Sequence, residues 1–191
     1  MIEMYEHNPD EKVKKPLSGW VTVGAFILLL GFLGLLAWGL INAKEGPIGV
    51  GSKVPPFELV TFDGDLYRTD DYNGKVILVN FWASWCQPCE SEAADLEQAW
   101  RMYAPGGEVI FLGVDYVDTE PQARRYLQKF DVTYPNGPDL RTSISQMFRI
   151  LGVPETYIID RSGRLAYVKK GPFNNLAEII SAVDAVLQAE R

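Results

Sequence analysis

Hydrophobic positions along the chain follow two different rules. Between Trp20 and Ile41 no residue is charged, and apolar side chains cover every face of a helix instead of one stripe. A helix of that length spans about 33 Å, close to the roughly 30 Å hydrocarbon core of a bilayer. Trp20 and Trp38 stand near its ends, where amphipathic rings favour the membrane interface. A cleaved signal would have an apolar core of about 7–15 residues and a small-x-small cleavage site. Ile41-Asn42-Ala43 matches such a site poorly. Residues 20–41 are therefore expected to form an uncleaved transmembrane helix. Lys12, Lys14 and Lys15 precede it, Lys44 follows closely and Lys53 comes later. That bias places residues 1–19 in the cytoplasm as a tail and the larger part of the chain outside.

Residues 42–52 are rich in Gly and Pro and read as a linker. They approach a phosphate-loop spacing, but Ser52 precedes Lys53 where such a loop has Lys first. From 53 to 191 apolar residues come in short blocks. Residues 57–60 and 66–68 flank Asp63-Gly64, a hairpin turn. Residues 76–83 (VILVNFWA) form a nearly continuous apolar run, as a strand buried on both faces requires. Residues 86–103 read as a helix with Cys89, Ala93, Leu96, Trp100 and Tyr103 along one side, ended by Pro105-Gly106-Gly107. A second buried strand is expected over 109–114, and a helix over 121–130 with Thr119 as its cap. Residues 134–138 read as a turn-rich connector, and residues 115–120 as a solvated acidic loop and helix start. A short helix over 143–148, strands over 156–160 and 165–169, and a last helix after Asn174 complete the pattern. Strand-helix-strand-helix followed by a hairpin and a helix implies an α/β fold with a central mixed sheet flanked by helices. Its first two strands should be parallel and its last two antiparallel.

Composition narrows the chemistry. Of 191 residues, 25 are acidic and 18 basic, for a net charge of −7, which disfavours nucleic acid as a partner. The single histidine, His7, lies in the tail before the apolar segment. Multi-histidine metal sites and a Cys-His or Ser-His-Asp pair in the folded domain are excluded on that ground.

The two cysteines stand at Trp85-Cys86-Gln87-Pro88-Cys89, after a buried strand and at the start of a helix. A bridge across so short a loop restrains the unfolded chain little, which argues against a structural staple. A two-thiolate copper site remains an alternative. In the redox reading, Cys86 sits at a helix N-terminus where unpaired N–H groups and the dipole favour its thiolate. Cys89, one turn inside, should be more buried and should release the mixed disulfide that Cys86 forms with a substrate. Pro88 is tolerated in the first turn. No flavin, nicotinamide or metal cofactor is implied; the redox group is the Cys86–Cys89 pair itself.

VNFWASWCQPCESE, followed much later by GVPETYIID, resembles the thioredoxin superfamily. More narrowly, it is similar to the membrane-anchored TlpA/ResA/CcmG (DsbE) type of thiol–disulfide oxidoreductase, over about residues 54–187. The resemblance implies a thioredoxin-like fold with an N-terminal β-hairpin and a cis Val153-Pro154 bond facing the disulfide. Asn80 stands where thioredoxins proper carry a buried Asp, and Glu92 matches the Glu that the TlpA/ResA type carries three residues after the second cysteine. Desolvated there, Glu92 could hold a proton and exchange it with Cys89. Trp85 is expected at the lip of the site and Trp82 in the core. A peroxidase of peroxiredoxin type needs Pro and Thr where this chain has Val79 and Ala83. Glu90 and Glu92 oppose a thiolate at Cys86 while the helix end favours it, which leans towards a reductant. The resemblance further implies apocytochrome c disulfides as substrate and a membrane thiol carrier of the CcdA/DsbD type as electron donor.

Overall fold

The computed structural model describes residues 19–42 and 48–189. The expected tail with His7 and its lysines, up to residue 18, and linker residues 43–47 lie outside the described residues. The chain divides into two units, residues 1–45 and 46–191. In the first, helix α1 (Gly19–Asn42) is long and apolar enough to cross a membrane. It begins one residue before and ends one residue after the span expected from the sequence.

The second unit has a thioredoxin-like fold. A hairpin of β1 (Glu58–Val60) and β2 (Leu66–Arg68) precedes a five-stranded sheet. Gly64, at φ +90°, makes its turn. The sheet contains β3 (Val76–Trp82), β4 (Val109–Asp115), β5 (Asn136–Pro138), β6 (Glu155–Ile159) and β7 (Leu165–Lys170). Their order is β5-β4-β3-β6-β7. β3, β4 and β5 run parallel; β6 and β7 run antiparallel to their neighbours. The helices are α2 (Gln87–Tyr103), α3 (Glu120–Lys129), α4 (Ser143–Phe148) and α5 (Leu176–Ala189).

Every residue of β3 is buried, as its unbroken apolar run requires for a central strand covered on both faces. Ile77, Val79 and Phe81 point to one core with Phe148 and Tyr157. Val76 and Leu78 point to the other, with Leu96 of α2 and Ile179 and Val183 of α5. The C-terminal ends of β3, β4 and β5 and the N-terminal end of β6 therefore meet at one edge of the sheet, where the cysteines lie.

Three local expectations change. Residues 136–138 form β5 instead of a connector, paired parallel to β4. Gly113 makes this possible, because a Cβ there would sit 1.7 Å from Asn136 Oδ1. Asp115 belongs to β4 and is buried, so the solvated loop begins after it. Thr119 stands at the N-cap of α3 without capping it; its hydroxyl donates to Gln122 Oε1 at 2.8 Å. The folded unit also reaches further back than residue 53: Gly51 N donates to Leu165 O, and Leu165 N to Ser52 O.

Candidate active site

β3 delivers the chain to the site through a tight turn closed by Cys86 N donating to Ala83 O at 3.1 Å. Cys86 is the N-cap of α2, with extended backbone angles. Its Sγ accepts from Cys89 N at 3.1 Å, so the sulfur takes the position that a Ser or Asp oxygen takes in ordinary helix caps. An anionic sulfur there is stabilised by the same N–H and by the helix dipole. Pro88 lies in the first turn, where its missing N–H costs nothing. Cys86 and Cys89 form a disulfide with Cα atoms 5.3 Å apart. Cys86 is 3% exposed and Cys89 1%, so the contrast in burial between them is small in this oxidised state.

The pair is packed by Trp82, Ala83, Ala93, Ala123 and Tyr126. Trp82 stacks on Tyr126 with ring centroids 4.4 Å apart, and the Tyr126 hydroxyl donates to Cys89 O at 2.9 Å. Tyr126 had no signature in the sequence beyond helical spacing. Trp82 is core, and its Nε1 donates to Asn136 Oδ1. Trp85 is exposed beside the disulfide, with Nε1 donating to Val117 O. The Val153-Pro154 bond is cis, and Val153 packs against the cysteine cluster. Trp85, Pro154 and the disulfide are thus at the same end of the sheet.

Glu92, one helical turn after Cys89, is 1% exposed. Its two oxygens accept from Asn80 Nδ2 at 3.0 Å and Phe173 N at 2.7 Å. Asn80 also donates to Thr156 Oγ1, tying the carboxyl to β3 and β6. Burial pushes Glu92 up to about 7, although these donors and Lys169 pull it down. A carboxyl poised there can take or give a proton near neutrality. The Phe173 contact crosses 81 positions of sequence and left no trace in the local pattern. Glu90 differs: it is partly exposed and paired with Lys129 Nζ at 2.9 Å, which offsets its charge against Cys86. Among the described residues no group of three or more His, Cys, Asp or Glu side chains is arranged to hold a metal ion.

Residues 50–168 match the AhpC/TSA family. The chain belongs to that family. Thioredoxin-like protein YneN of Bacillus subtilis is 30% identical over 156 residues, 81% of this chain and 91% of YneN. Thiol-disulfide oxidoreductase ResA of Geobacillus thermodenitrificans is 28% identical over 145 residues, 76% of this chain and 83% of that protein. Among solved structures, a thioredoxin-family thiol:disulfide interchange protein from Chlorobium tepidum has a TM-score of 0.63 at 28% identity. It covers 76% of this chain and 99% of its own. With the Cys86–Cys89 disulfide in this setting, this AhpC/TSA family member is a thiol–disulfide oxidoreductase of the ResA-like kind. Its N-terminal apolar helix fits a membrane anchor.

Proposed function

We propose that the protein is a reductase of protein disulfides, anchored with residues 1–19 in the cytoplasm and its catalytic domain outside. The observation that carries this reading is Glu92 buried one turn behind Cys89, which opposes a lasting thiolate at the pair, while Cys86 Sγ at the N-cap of α2 supplies the attacking sulfur. Cys86, as thiolate, attacks a substrate disulfide; a Cys86–substrate S–S bond forms and one substrate thiolate leaves. Cys89 then gives its proton to Glu92 and attacks Cys86 Sγ. The second substrate sulfur leaves as a thiolate, and the Cys86–Cys89 disulfide is restored. The two electrons pass to the substrate. Trp85 forms the exposed rim, and Val153-Pro154 lines the approach.

The substrate in this reading is the disulfide of an apocytochrome c haem-attachment motif, and the electron donor is a membrane thiol carrier of the CcdA/DsbD type. Both rest on the resemblance to the TlpA/ResA/CcmG type. A reductant outside the cytoplasm needs such a source, because the chain carries no nicotinamide or flavin fingerprint of its own. The test compares reduction of an oxidised Cys-x-x-Cys-His peptide with reduction of insulin, beside Cu(I) titration of the reduced protein. Preferred turnover of the peptide and a potential well below that of strong oxidants such as DsbA support the proposal. Tight Cu(I) binding with negligible disulfide turnover identifies a copper-handling module instead.

A further inference from the structure

Two acidic side chains, Asp115 and Asp118, lie on the β4 side of the disulfide turn. The loop after β4 is strapped to the end of β3 and to that turn by three hydrogen bonds. Tyr116 N donates to Trp82 O at 2.8 Å, Ser84 N to Asp118 Oδ2 at 2.7 Å, and Trp85 Nε1 to Val117 O at 3.1 Å. The other Asp118 oxygen accepts from Thr119 N at 2.7 Å. Val117, at the tip, has φ 49°, a left-handed conformation that strains a β-branched residue. At the base of the loop is Asp115, in register with Trp82 and 2% exposed. Its Oδ1 is buried without a hydrogen-bond partner. Unsatisfied buried carboxyl oxygens are costly, and one left in place calls for a reason.

The titratable groups nearby come from each surrounding element. Asp118 is on the same loop. Asp139, after β5, donates its N–H to Asp115 O and turns its carboxylate to Ile144 N and Ser145 N. Tyr126 on α3 is engaged with Cys89 O, and α2 contributes the disulfide. Burial, then the charge of Asp118, push Asp115 up to about 8.

We propose that Asp115 and Asp118 together position the Ala83–Cys86 turn for thiol exchange, Asp118 by holding the Ser84 N–H and Asp115 from the base of the same loop, with its buried, unpartnered oxygen in register with Trp82. The proposal rests on Cys86 being the attacking thiol. Asp115 touches no reacting atom; it is a positioning residue. When it ionises, like charge is placed beside Asp118 and negative potential is added against the Cys86 thiolate. The reactivity of Cys86 therefore carries a second ionisation besides its own.

The test is the rate of Cys86 alkylation by iodoacetamide in the reduced full-length chain in detergent, mapped by peptide mass from about pH 5 to about pH 10. The wild-type profile should depart from a single ionisation near pH 8. Asp115→Asn should follow wild type at lower pH and lose the break near pH 8. Asp118→Asn, which keeps an acceptor for Ser84 N, should retain the rate that Asp118→Ala loses. Superimposed wild-type and Asp115→Asn profiles overturn the pairing alone. A Cys86 inert at every pH overturns the attacking-thiol reading and the pairing with it. If Asp115→Asn does not fold, carbon-13 NMR of the Asp115 carboxyl in wild type decides. A midpoint near 8 supports the proposal; one in the usual carboxylate range overturns it.

Discussion

Replacing Glu92 with Gln separates the charge of this side chain from its shape. In the fold Glu92 titrates at about 7, against 4.5 for the free side chain, and burial is the first cause. Because the folded value is raised, the stabilising contribution is complete below pH 4.5 and is lost as pH rises through 7. The gap corresponds to about 3 kcal/mol. Gln cannot ionise, so it escapes that loss. It has a fixed cost of about 1–2 kcal/mol, because one amide oxygen must serve two donors, Asn80 Nδ2 and Phe173 N. The variant should be less stable than wild type at pH 4.5 and should gain on it by about 3 kcal/mol at pH 8.5. Guanidinium denaturation of the oxidised full-length chain, followed by tryptophan fluorescence at pH values across this window, measures the difference. The pH-independent hydrogen-bond cost cancels in that comparison. A stability difference that stays constant from pH 4.5 to 8.5 refutes the reasoning. In the reduced enzyme the same variant should slow resolution of the mixed disulfide about a hundredfold and leave the first attack unchanged, as loss of a general base requires.

Two further substitutions test how the site is supported. Tyr126→Phe removes the 2.9 Å bond to Cys89 O but keeps the stacking on Trp82, so thermal denaturation should report a loss of about 1 kcal/mol. Gly113→Ala places a methyl 1.7 Å from Asn136 Oδ1. It should force β5 from β4 and destabilise by about 3 kcal/mol, read as early hydrogen exchange of the Asn136 and Gly137 amides.

Elements defined by long apolar runs could be read directly from sequence. β3 and β4 are buried strands because their residues leave no polar face, and α2 begins where Cys86 and Pro88 permit a cap and a first turn. β5 escaped notice because three residues that follow one proline and end in another carry no period; only Gly113 on the neighbouring strand explains why Asn136 can approach. Asp115 looked like the start of a loop because strands rarely end in a buried, unpaired carboxyl. At the site, Cys86 and Cys89 stood out by their spacing at a helix start, while Glu92 was singled out only through the resemblance to the TlpA/ResA type. The partners of Glu92 were not evident, since Phe173 N and Thr156 reach it, or its neighbour Asn80, only through the sheet and the α5 layer. The Lys129–Glu90 pair likewise joins two helices and offsets part of the charge that Glu90 presents to Cys86.

The account stands on Cys86 as the attacking sulfur and Cys89 as the resolving one. Cys89→Ser, reduced and mixed with an oxidised Cys-x-x-Cys-His peptide, should accumulate one covalent adduct, which mass mapping places on Cys86 and which a reductant releases. Adduct on Cys89 in Cys86→Ser with none on Cys86 in Cys89→Ser contradicts it.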